Sequence, residues 1–323
     1  MSCIKKINII TKKMSIRRHF RIRSLQFLYA QHLSKMDSNK VEKNLLRSIE
    51  LLHHLYIFLL YSILKIRENA LKKYSCDKNK TNIIKKIASN SVIKILSKNK
   101  YLIKEYHYTK NFVKILWNQQ DKYIFILLQE MKKSNFDKKY SIKPRSSFEE
   151  EKKFIIKCYK NFVIPNKKLI EYIEDLYSFH GEEDLYIAHN MVCKTLQFIN
   201  HSTPQNFKLY NIYNNDENKK FIIDLYRNTI FHKEEFNNLI NNISNNWDIK
   251  RIAIIDLIIL QMAICEFLYF PNIPPKATMN EYIEITKIFC MEKSKIFING
   301  VLDQIFKFLY KKNKILKIGK GLM

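Results

Sequence analysis

Glycine and proline are scarce in this 323-residue chain, which has four of the first and six of the second. So few glycines exclude folds that cradle phosphates on Gly-rich loops. With so few prolines as well, the many tight turns of β architectures are disfavoured. Acidic residues are also short: 30 Asp and Glu stand against 57 Lys and Arg, a formal charge of +27. The six cysteines (Cys3, Cys76, Cys158, Cys193, Cys265 and Cys290) form no Cys-x-x-Cys pair. They read as small buried hydrophobes of a protein at home in a reducing cytosol, so neither a disulfide scaffold nor a metal site is expected. No sustained apolar stretch leads from the basic N-terminus to a small-residue cleavage site, so no signal peptide is expected and a cytoplasmic location is.

What the chain does have is apolar periodicity. Hydrophobic residues make up 46% of it, in long segments with few breakers, which predicts an all-α protein. The charge is uneven along the chain: residues 1–145 hold 33 basic and 9 acidic side chains, residues 146–323 hold 24 and 21. Cations concentrated in one region suit a polyanion, because they release counterions from a phosphate backbone. A composition crowded with Lys, Asn and Ile, as A+T-rich coding produces, accounts for roughly half of the excess. Two apolar segments raise the question of a membrane. Leu55–Leu64 is too short, and Ile252–Phe270 carries Asp256, Gln261 and Glu266, each costly in hydrocarbon. Both read as buried helices, and no membrane partner is expected.

A basic leader, residues 1–14, precedes a helix at Ser15–Leu33, followed by helices at Val41–Lys73, Asn82–Tyr106 and Phe112–Lys133. The aperiodic stretch Ser134–Ser147, with Pro144, marks a boundary. Helices follow at Phe148–Phe162, Lys167–Ser178, Glu182–Asn200, Lys219–Phe231 and Lys233–Ile243. Arg251–Phe270 is apolar on nearly every face and belongs at the centre of a bundle. Thr278-Met279-Asn280-Glu281 fits a capping box that opens a helix to Phe289, and Ser294 fits the N-cap of a last helix to Lys311.

Two pieces of this sequence resemble the NusB family. One is Arg17-Arg18-His19-Phe20-Arg21-Ile22-Arg23-Ser24-Leu25-Gln26-Phe27-Leu28-Tyr29, similar to an Arg-rich first helix ending in Leu-Tyr. The other starts at Trp247 and runs through Arg251 to Glu266. It continues with Ile273-Pro274, Asn280-Glu281-Tyr282-Ile283-Glu284, Lys287 and Phe289, and closes on Phe297-Ile298-Asn299-Gly300-Val301-Leu302-Asp303. The resemblance covers residues 15–33 and 217–310, and a long form with inserted helices resembles NusB proteins of the Bacteroidota type. It implies NusB-like helical bundles with an added helical region: 15–33 as the first core helix, 34–216 inserted, 217–312 as the C-terminal core and 313–323 as a basic tail.

The resemblance also implies a function. Members bind boxA-type single-stranded rRNA leader RNA together with NusE, a small-subunit ribosomal protein, and the complex joins transcribing RNA polymerase. No catalysis and no cofactor are involved; monomers and homodimers both occur. Carried over residue by residue, RNA contacts fall on Arg17, Arg18, His19, Arg21, Arg23, Tyr29, Lys293 and Phe297. The NusE-facing positions are Tyr29, Asp256, Lys293 and Phe297. The residues themselves leave alternatives open. The four arginines suit bidentate phosphate contact and base stacking, or form a solvated basic face. Tyr29 is a surface or half-buried core tyrosine, and Phe297 a contact or simple packing. Asp256 must either face outward toward a basic partner residue or make an internal hydrogen bond. Lys293 departs from the Asp found there in some members. No catalytic constellation emerges. The Gly-rich and Pro-Cys motifs of RNA cytosine methyltransferases, to which such domains are sometimes fused, are absent. The alternative function is a ribosome-assembly scaffold whose basic insertion binds rRNA.

Overall fold

The computed structural model describes residues 15–76, 82–113, 117–134, 146–176, 182–210, 216–243 and 249–322. The basic leader, Trp247, Asp248 and most of the boundary stretch Ser134–Ser147 lie outside the described residues. Among those described there is no strand. In chain order the helices are α1 (Ile16–Ser34), α2 (Ser38–Cys76), α3 (Asn82–Ser89), α4 (Ser91–Leu96), α5 (Lys100–Val113), α6 (Trp117–Lys133) and α7 (Phe148–Cys158). A π turn, Tyr159–Val163, extends α7. Then come α8 (Lys167–Leu176), α9 (Glu182–Phe198), α10 (Asp216–Phe231), α11 (Lys233–Ile243), α12 (Ile254–Tyr269), α13 (Pro275–Phe289) and α14 (Glu292–Lys311).

The single helix expected at Asn82–Tyr106 is three. Asn90 accepts from the backbone N–H groups of Val92 and Ile93, and Asn99 accepts from that of Leu102. Each asparagine caps a new helix instead of continuing the old one. Two expected caps are also corrected. α13 begins at Pro275, so Thr278 lies inside it, and α14 begins at Glu292 with Met291 at the N-cap, so Ser294 is also internal. Proline at the first helical position explains the earlier start, since its missing N–H is one the helix leaves unbonded anyway.

The chain divides into two compact units, residues 1–47 with 213–323, and residues 48–212. Grouped this way the charge asymmetry disappears. The first unit holds 28 basic and 14 acidic side chains, and the second 29 and 16.

In the first unit α12 touches α1, α10, α11, α13 and α14. Every residue of it from Ile258 to Phe267 is buried, as an all-round apolar helix requires. In the second unit α2 has the same role. Leu51 to Leu60 are buried without a gap, including His53 and His54. Among the described residues this helix alone is long and apolar enough to cross a membrane by length and composition, and 72% of its apolar window is buried inside the protein. Its apolar surface serves as core. His54 reaches the Thr109 hydroxyl at 2.9 Å, and the Tyr56 hydroxyl meets that of Thr195 at 2.7 Å, so these two buried side chains bond to neighbouring helices.

Candidate nucleic-acid interface

Helix α1 starts where the Ser15 hydroxyl accepts from the Arg18 backbone N–H at 3.1 Å. It stops where Lys35 takes a left-handed conformation (φ 53°) and donates its N–H to the Gln31 carbonyl. Between these caps, His19 through Leu25 are all buried, because α1 packs on α10, α12 and α13. A helix buried over seven consecutive residues offers no open face there, and this changes the reading of the arginines.

Arg21, 3% exposed, forms a two-bonded pair with the fully buried carboxylate of Glu266 on α12, at 2.6 and 2.8 Å. The Thr278 hydroxyl donates to the same carboxylate at 2.7 Å and the Tyr282 hydroxyl lies at 3.4 Å. The guanidinium also sits over the rings of Phe221 and Tyr282, at 5.3 and 5.8 Å. Burial by itself would push the Arg21 pKa down; the charge and hydrogen bonds of Glu266 outweigh it, and the net shift is upward. Burial and the neighbouring carboxylate likewise raise the Tyr282 phenol well above its ordinary value. Arg18 makes a second two-bonded pair with Glu281 on α13, at 2.7 and 2.9 Å. Glu281 is thus a tertiary partner of Arg18, where a helix cap was expected. His19 and Arg23 are 1% and 7% exposed, with the Arg23 guanidinium donating to Gln26 at 3.1 Å. The expectation that Arg18, His19, Arg21 and Arg23 present themselves to RNA is corrected: their side chains are turned inward or held by carboxylates. Arg17 differs. Its side chain is 44% exposed, loosely paired with Glu217 at 3.9 Å and placed over Phe221.

Asp256 is 6% exposed in the first turn of α12, and the Cys290 thiol hydrogen-bonds to it. Burial first, then this bond and the Asp256 charge, push the Cys290 pKa up to about 12. Asp256 therefore makes an internal hydrogen bond, and the expectation of an outward, partner-facing acid is corrected. Lys293 is exposed on α14, while Phe297 and Tyr29 are partly exposed. Of the positions named from sequence, Arg17, Tyr29, Lys293 and Phe297 remain accessible.

Two features of the first unit escaped sequence reasoning. One is a groove of about 440 Å³ beside the end of α1, with Leu28, Leu257 and Ile258 among its apolar lining and His32, Lys35 and Lys233 among its basic lining. The other is the C-terminal tail. Lys317 donates to the backbone carbonyls of Glu266 and Phe270 at 3.2 and 2.9 Å, where α12 leaves carbonyls without helical partners. Burial pushes its pKa down to about 8. The Ile318 N–H donates to the Pro271 carbonyl, and Gly321 lies against that same carbonyl. The signal for the Arg21 pair was present in the sequence: a glutamate in an all-apolar helix needs a cation.

The NusB family model matches residues 188–307. The transcription antitermination protein NusB of Salinibacter ruber is 39% identical over 105 residues, 32% of this chain and 66% of that protein. That of Chloroherpeton thalassium is 36% identical over 105 residues, 32% of this chain and 50% of that protein. For Geobacter sulfurreducens the figures are 45% over 87 residues, 27% and 63%. The chain thus spans between half and about two thirds of the length of these curated relatives. No solved structure matches it significantly. The family match begins at Ala188, well before the expected position 217, and does not take in α1. Residues 188–307 are accordingly a NusB-family domain.

Proposed function

We propose that this protein is a non-enzymatic transcription antitermination factor. It binds boxA-type single-stranded rRNA leader RNA jointly with NusE and joins the elongating RNA polymerase in the cytoplasm. The observation that carries the reading is the NusB-family domain at 188–307, together with the similarity to three proteins named for transcription antitermination. Arg17, Lys293, Phe297 and Tyr29 are accessible enough to meet RNA or partner. Arg17 supplies a guanidinium next to an aromatic ring, and Lys293 an exposed cation for phosphate. The basic-rimmed groove beside α1 is a concave place for a protein segment. Arg21 and Arg18 contribute indirectly, by fixing α1 on α12 and α13.

Binding tests the proposal. With NusE present, a boxA strand is expected to bind more tightly than a scrambled strand of equal length, and Arg17→Ala with Lys293→Ala is expected to narrow that difference. Equal affinity for the two strands removes the boxA reading.

A further inference from the structure

Helix α5, in the unit 48–212, turns Leu102, Tyr106 and Thr109 inward and leaves Lys100, Tyr101, Ile103, Lys104, His107, Tyr108 and Lys110 exposed. Two of these are partly exposed tyrosines: Tyr101 is 42% exposed, and Tyr108 54% with its ring also 5.5 Å from that of His54; Ile103 is 40% exposed. Charge is one-sided around them. Between Ile83 and Lys110 the chain has seven lysines and one acid, Glu105, and that carboxylate is engaged by His53 at 3.4 Å.

The loop after α9 is tied to the start of α5. The Asn99 side chain donates to the Phe207 carbonyl at 2.9 Å and the Lys100 backbone N–H to the Gln205 carbonyl at 3.1 Å. That loop adds exposed Lys208 and Tyr210. Lysines one turn apart, such as Lys100 and Lys104, stand about 6 Å apart along the axis, while Tyr101 and Tyr108 are about 10 Å apart.

We propose that the exposed face of α5, with the adjoining loop, is a second RNA-binding surface that holds single-stranded RNA without sequence preference, lysines on phosphates and tyrosines on unpaired bases. A single strand offers both the negative charge and the open π faces this surface matches. A duplex keeps its bases stacked away. A lipid surface fits poorly, because the apolar side of α5 is already buried in the core and the outward side is too polar to insert.

Full-length protein and a single-stranded RNA lacking boxA test this, with an abasic strand of equal length, an RNA duplex and anionic vesicles as further probes. Wild type is expected to favour the base-bearing strand over the other three. Tyr101→Ala is expected to weaken it by about five- to a hundredfold and narrow its advantage over the abasic strand. Lys100→Gln with Lys104→Gln is expected to flatten the log–log salt slope by about 1.4, two single-strand phosphates. These side chains are exposed, and unchanged circular dichroism checks the fold. The ratio of boxA to scrambled affinity, which reports on the NusB-family domain, is expected to stay the same in both variants. The proposal is overturned if the variants bind like wild type, if base-bearing and abasic strands bind equally, or if duplex or vesicles are preferred.

Discussion

Replacing Arg21 with methionine separates a structural arginine from an RNA-contacting one. The side chains of Arg21 and Glu266 are 3% and 0% exposed, so water does not screen their pairing. Removing one partner of a buried pair leaves an uncompensated charge and costs about 3–5 kcal/mol. The hydroxyls of Thr278 and Tyr282 still face Glu266 in the variant, which favours the lower end. Replacing both, Arg21→Met with Glu266→Leu, removes the stranded charge and is expected to return stability to within about 1 kcal/mol of wild type. Urea unfolding read by hydrogen exchange on peptides from α1 and α12 follows the first unit separately from the second. If Arg21→Met unfolds like wild type yet loses RNA affinity, Arg21 is a contact residue and this reasoning is wrong.

Other outcomes follow from the same structure. Burial holds His54 and His189 at about 4 against an ordinary 6.5. Between those values the unfolded rings take up protons that the folded ones refuse. The second unit should therefore lose stability as pH falls from about 6.5 to about 4, by about 1.4 kcal/mol per pH unit for each histidine. His189→Gln should flatten the urea midpoint's dependence over that window; an unchanged slope contradicts the assignment. Gly321→Ala would put a Cβ 1.9 Å from the Pro271 carbonyl oxygen, whereas Gly319 (φ +52°) opens on empty space. The first should detach the tail, seen as faster C-terminal proteolysis; the second should cost only about 1–2 kcal/mol of local strain. Equal proteolysis in the two variants contradicts the close approach at Gly321. Asn99→Ala, which removes both the α5 cap and the hold on Phe207, should speed hydrogen exchange in residues 200–210. Unchanged exchange there contradicts the tie between loop and helix.

What was legible in the sequence is what local periodicity encodes. The stretch Arg251–Phe270, apolar on nearly every face, declared itself a central helix, which the structure bounds at Ile254–Tyr269. The hidden part is non-local. Nothing in the spacing of Thr278 and Glu281 distinguishes a capping box from two residues that reach α12 and α1. An arginine on a helix reads the same whether water, phosphate or a glutamate 245 residues away receives it. Packing decided for the glutamate, because α12 had buried Glu266 and needed a cation beside it. The asparagines that break residues 82–106 into three helices could have been read as caps, since an Asn side chain competes with the helix for backbone N–H groups. The tail offered no periodic signal, because Lys317 is placed by the open end of another helix.

Transcription past a terminator tests the central claim most directly. On a template bearing boxA upstream of the terminator, adding this protein with NusE to elongating polymerase should raise the full-length transcript, and scrambling boxA should abolish the gain. A gain independent of boxA, or none on either template, contradicts the assignment as an antitermination factor.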